Sequence, residues 1–113
     1  MERDLIKRMR EFAYDVYRHL KSVRLNFYNR QIIQQLLDSA FSSAANYRAA
    51  QRGKSRKDAL NKIKIALEEM DESNFWLTSL FDLKESDDSE MQALIKESNE
   101  LSSILVSIIS KLS

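Results

Sequence analysis

Apolar residues recur at steps of three and four along most of the chain, and this spacing predicts four amphipathic helices. The first runs from about Asp4 to Val23, with Leu5, Ile6, Met9, Phe12, Ala13, Val16, Tyr17, Leu20 and Val23 on one stripe. The second, from about Asn29 to Ala50, aligns Ile32, Ile33, Leu36, Leu37, Ala40, Phe41, Ala44 and Ala45. The segment Gln51-Arg52-Gly53-Lys54 breaks the pattern, and Gly53 is the natural residue for a left-handed helix end. Ser55, with Asp58 three residues on, then makes a capping-box-like start. The third stripe carries Ala59, Leu60, Ile63, Ala66, Leu67, Met70, Leu77, Leu80 and Phe81. At about 27 residues this helix would be about 40 Å long. Glu85-Ser86-Asp87-Asp88-Ser89 supplies capping side chains and N-terminal acids. The fourth stripe then holds Met91, Leu94, Ile95, Leu101, Ile104, Leu105, Ile108, Ile109 and Leu112. Four stripes joined by short links predict an all-α, up-down-up-down four-helix bundle spanning residues 1–113 as one domain.

Two helices carry a second face. At about 100° per residue, Ile65, Trp76 and Leu83 fall opposite Ile63, Ala66, Leu67 and Met70, with Glu69 and Glu72 in the same outer row. A bundle standing alone would keep that row polar, so it reads as a contact surface. Opposite the stripe of helix two stand Gln35, Ser39, Ser42, Asn46 and Ala49, small enough to let another helix approach. Ser42, Asn46, Ile65, Glu69, Glu72 and Trp76 are therefore the candidate interface of a homo-oligomer. The plainer alternative leaves the serines in solvent and folds Trp76 over a bundle edge.

Composition narrows the picture. Of 113 residues, 43% are hydrophobic and 31% charged, a globular balance. One glycine and no proline disfavour sheets and long irregular loops. The absence of cysteine excludes disulfides and thiolate metal sites and makes the cytoplasm the expected home. No secretory signal follows Met1-Glu2-Arg3-Asp4, and no run of roughly 18 apolar residues predicts a membrane span.

The net charge of +1 hides an uneven distribution. Residues 1–64 hold 15 Lys/Arg against 6 Asp/Glu, while residues 65–113 hold 3 against 11. Arg48, Arg52, Lys54, Arg56, Lys57, Lys62 and Lys64 crowd into 17 residues with one acid, Asp58. Such a cluster at a bundle end could neutralise the phosphates of RNA or DNA. Tyr47 is its only aromatic residue, so it offers no evident stacking platform or base-specific readout. Alternatively it is a solvated turn whose cations compensate Glu68, Asp71 and Glu72 of a neighbour.

Catalytic constellations are not visible. His19 is the only histidine and has no evident serine or cysteine partner. A phosphate loop needs more than one glycine. A bundle-type di-iron site needs Glu-x-x-His pairs, and position 16 is Val. The chain is expected to be non-enzymatic, without cofactor or metal.

The run Ser42-Ser43-Ala44-Ala45-Asn46-Tyr47-Arg48-Ala49-Ala50-Gln51-Arg52, then Ser55-Arg56-Lys57-Asp58, then Lys64-Ile65-Ala66-Leu67-Glu68-Glu69-Met70-Asp71-Glu72-Ser73-Asn74-Phe75-Trp76-Leu77, resembles the bacterial four helix bundle protein family. That family is also called the 23S rRNA intervening-sequence protein family. Asn46, Glu69, Glu72 and Trp76 match its signature positions, whereas Ala49 stands where the family has Glu. The resemblance implies a left-handed up-down bundle assembling into a five-fold ring, with a role largely unassigned. It also implies kinship with accessory proteins of reverse transcriptases that bind nucleic acid through a basic surface. The expected function is thus a homo-oligomeric scaffold, pentameric as the resemblance implies, associated with nucleic acid. The alternative is a protein-binding adaptor, such as an accessory subunit of a reverse transcriptase or other enzyme.

Overall fold

The computed structural model describes residues 2–113. The four helices are α1 (Glu2–Leu20), α2 (Arg30–Ala50), α3 (Arg56–Asp82) and α4 (Ser89–Leu112). Consecutive helices run antiparallel: Tyr14 meets Phe41, Ser43 meets Ala66, and Asp71 meets Ser102. Arg8 and His19 reach Glu97 and Glu90, which closes α4 back onto α1. The particle measures 44 × 22 × 19 Å. Its two ends are therefore distinct. One carries the α2–α3 link around Gly53, and the other brings the α1–α2 and α3–α4 links together.

The ends of the helices follow local chemistry. The Ser55 hydroxyl accepts from the Asp58 amide at 3.1 Å and caps α3, as the spacing predicts. Asp88 does the same for α4, accepting from Met91 N–H at 2.9 Å. Gly53 is not the left-handed residue expected of it, since no glycine has positive φ. It serves instead as a space-saver. A Cβ there would lie 3.1 Å from both Ala59 Cβ and Ala59 N, and 3.2 Å from the Ala50 carbonyl. The left-handed residue is Lys84, at φ 63°. Around it Lys84 N–H donates to Phe81 O and Glu85 N–H to Leu80 O, the paired bonds of a Schellman helix end.

The core is made of Leu5, Met9, Phe12, Ala13, Val16 and Leu20 of α1, Ile33, Leu36, Ala40, Tyr47 and Ala50 of α2, Ile63, Ala66, Met70, Leu77 and Leu80 of α3, and Met91, Leu94, Leu101 and Leu105 of α4. The α1 and α4 stripes lie close to their predicted phase, although Tyr17 is exposed and α1 stops at Leu20 rather than Val23. Helix α2 is rotated from its predicted phase. Phe41 and Ala45 face outward, while Ser39, Ser43, Tyr47 and Ala50 are buried. Ser39 was expected on an outer surface. It lies instead between α2 and α3, 2.8 Å from Ser73 Oγ, and Ser43 donates to Ala66 O at 2.6 Å. Small hydroxyl side chains let these two helices approach, and each buried hydroxyl keeps a partner.

Candidate functional site

The α2–α3 link and the helix turns flanking it gather the basic cluster at one end. Arg48, Arg52, Lys54, Arg56, Lys57 and Lys64 are all exposed. Lys62 is half-buried and lies 3.8 Å from Asp58. Arg56 donates to the Leu112 carbonyl at 3.1 Å and so ties the end of α4 to the start of α3. Arg48, Arg52, Lys54, Lys57 and Lys64 form no ion pair among the described residues. Tyr47 is buried in the core, so the cluster presents charge without an aromatic face.

The outer faces of α2 and α3 lie side by side. Ile65 is 41% exposed. Trp76 is half-buried, packs against the core and donates its indole N–H to Glu72 at 3.2 Å. Glu69 is half-buried, and its carboxyl titrates above its ordinary value. Burial is the first cause, followed by repulsion from Glu72, Glu68 and Asp38. Across from these, Asn46 donates to both the carbonyl and the hydroxyl of Ser42. Along α3 the predicted interface residues thus run apolar at Ile65, acidic at Glu69 and Glu72, and apolar again at Trp76.

The sign of the Glu69 effect is fixed by its direction. A carboxyl raised on folding contributes stability that is fully present below its ordinary value of 4.5 and is lost as pH rises through the folded value. Glu69→Gln is thus expected to raise the melting temperature of the isolated chain at pH 7. The gain should shrink as pH falls through the raised value of Glu69 and be gone by 4.5. Circular-dichroism melts across pH check it, and a melting temperature lowered at neutral pH would contradict it.

The opposite end holds features that sequence reasoning missed. His19 is buried and does have a serine partner: Ser86 Oγ lies 2.7 Å from Nε2. Glu90 Oε2 lies 3.4 Å from Nδ1. A carboxylate only accepts, so Nδ1 carries the proton toward Glu90. The groove between α1 and α4 is lined by His19 and Glu90 but not by Ser86. The three groups thus bolt the end of α1 to the α3–α4 link rather than facing a common cleft. No cluster of metal-ligating side chains occurs among the described residues.

Beside this bolt, the link between α1 and α2 is fixed by two asparagines. Asn26 Oδ1 accepts from Tyr28 and Asn29 N–H, each at 2.8 Å, and Asn29 Oδ1 accepts from Asn26 N–H at 2.9 Å. Asn29 Nδ2 donates to Arg24 O and to Glu85 Oε1, and Asn26 Nδ2 donates to the same Glu85 oxygen. This braced turn holds Phe27 81% exposed and Tyr28 83% exposed, their rings edge-to-face at 5.3 Å. The Asn-x-x-Asn spacing at a predicted helix start was the available signal for it.

Fold and surface together define a small all-α protein whose distinctive chemistry lies on its outside: a basic end, an acidic flank and a braced aromatic turn. The chain belongs to the 23S rRNA-intervening sequence protein family, whose sequence model matches residues 1–107. It is similar to a protein of unknown function from the S23 ribosomal protein family of Bacteroides thetaiotaomicron, solved at 1.70 Å. That crystal structure is 30% identical, covers 93% of this chain and 97% of its own, and superposes with a TM-score of 0.81. No match is found among curated proteins. No helix among the described residues is long and apolar enough to cross a membrane.

Proposed function

We propose that the chain is a homo-oligomeric, non-enzymatic scaffold that associates with nucleic acid through its basic end. The observation that carries this reading is the set of exposed, unpaired cations Arg48, Arg52, Lys54, Lys57 and Lys64 around one link. Cations that no local acid neutralises are free to displace counterions from phosphates. A ring of copies, five in the arrangement implied by the family resemblance, would repeat that end and turn weak contacts into avidity.

Binding of labelled RNA and DNA over a series of salt concentrations tests the reading. Affinity is expected to fall steeply with salt, and Lys54→Glu/Lys57→Glu is expected to make the slope shallower by roughly 2. These two are cleaner targets than Arg56, which also holds Leu112. Affinity indifferent to salt and unchanged in the variant would remove nucleic acid from the reading. A partner recovered from nuclease-treated extract would favour the adaptor alternative.

Assembly is supported by the acidic, partly apolar flank of α2 and α3. Carboxylates crowded as at Glu69 are relieved when a sister molecule supplies cations. Ile65→Lys is the direct test, because Ile65 is exposed whereas Trp76 is packed partly against the core. The substitution is expected to reduce the mass seen by light scattering towards one chain while far-UV circular dichroism is unchanged. A wild-type mass already equal to one chain would end the assembly reading.

A further inference from the structure

We infer that the braced turn between α1 and α2 is a binding platform for single-stranded nucleic acid, separate from the basic end. Phe27 and Tyr28 are the most exposed large hydrophobic side chains of the described residues. A loose loop could fold such rings back onto the protein. This turn cannot do so easily, because the Asn26 and Asn29 side chains pin its backbone and Glu85 holds both of their amides. Two aromatic faces are thus held in water by a polar network centred on the buried Asn29. Tyr17, half exposed at the end of α1, adds a third, with Lys21 Nζ 5.7 Å from its ring centre.

Charge selects the ligand. Between Val16 and Leu37 the chain carries Arg18, Lys21, Arg24 and Arg30 and no acid. Lys21, Arg24 and Arg30 are exposed and form no ion pair among the described residues. Aromatic faces interleaved with free cations match unpaired bases alternating with phosphates. The adjoining α3–α4 link and the helix ends beside it carry Asp82, Glu85, Asp87, Asp88 and Glu90 at this same end. A flat anionic membrane pressed on the end would meet those acids as well as the cations. A single strand is narrow enough to follow the α1–α2 side alone. A duplex keeps its bases stacked inside and cannot use the rings.

The test uses the full chain with a labelled oligouridylate or oligothymidylate of about 12 nucleotides, a duplex of the same length, and vesicles containing anionic lipid. The single strand is expected to bind more tightly than the duplex. Phe27→Ala/Tyr28→Ala is expected to weaken single-strand binding by about tenfold or more with little change in salt slope. Tyr28→Phe, which keeps the ring, should retain the affinity. Both rings are exposed, so circular-dichroism melts should be unaltered. Equal single-strand and duplex affinity, an unchanged double variant, or rings needed for vesicles but not for oligonucleotide would each overturn the inference. Loss in Lys54→Glu/Lys57→Glu with no loss in Phe27→Ala/Tyr28→Ala would leave only the basic end. The opposite pattern would leave only this platform.

Discussion

Phe12→Ala is expected to destabilise the bundle by about 3–5 kcal/mol, while Phe41→Ala costs no more than about 1 kcal/mol. Both rings sit on apolar stripes legible in the sequence, so periodicity alone ranks them together. The structure separates them. Phe12 is 1% exposed and lies in the core with Met9, Ala13 and Val16, whereas Phe41 is 39% exposed and rests beside Tyr14 at 6.1 Å. Removing the Phe12 ring loses its transfer free energy and leaves a void that close-packed neighbours fill only in part. Removing Phe41 leaves a smaller void, because its ring already borders solvent in the groove beside Tyr14. A domain of this size holds only about 5–15 kcal/mol in total, so the Phe12 variant should melt more than roughly 10 °C lower. Urea unfolding of the two variants measures the difference. Similar losses in both would mean that Phe41 is covered in solution, as it would be if a second copy closed over the α1–α2 groove.

That contrast shows where the sequence spoke clearly and where it did not. Helices α1 and α4 have one strongly apolar face against a charged one, and their buried residues were readable from spacing. Helix α2 is built from Ala, Ser and Gln with few charges, so several rotations bury comparable apolar area. Its true phase is set by contacts across the bundle: Ser39 against Ser73, Ser43 against the Ala66 carbonyl, and Tyr47 in the core. Spacing within one helix carries no information about such partners. The basic cluster was legible because its residues are neighbours in sequence. His19, Ser86 and Glu90 were not, because they lie on three different elements and meet only when α4 closes on α1. Gly53 was legible as a break but its reason was not. It leaves room against Ala59, where a Cβ would be tight, and the left-handed turn falls on Lys84, where composition gives no warning.

The rule that apolar residues seek the core gives no warning of outward rings such as Phe27 and Tyr28. Their exposure rests on Asn29, and Asn29→Ala is the second large effect expected. Its amide is almost wholly buried and makes three bonds: Nδ2 to Arg24 O at 2.9 Å, Nδ2 to Glu85 Oε1 at 2.8 Å, and Oδ1 from Asn26 N–H. Alanine would leave the Arg24 carbonyl and the Asn26 amide without these partners and would strip Glu85 of its shorter bond. Buried groups left unsatisfied cost about 1–3 kcal/mol, and the lost bonds of the buried Asn29 place the expected loss within that range. Asn29→Asp should be no better, since it removes the donor and sets a second carboxylate against Glu85. The loss should also be local. Amide exchange is expected to accelerate across residues 24–29 and at the α3–α4 link before the remainder of the bundle opens. If Asn29→Ala melts like the parent and its turn exchanges no faster, the aromatic rings are held out by something other than this network.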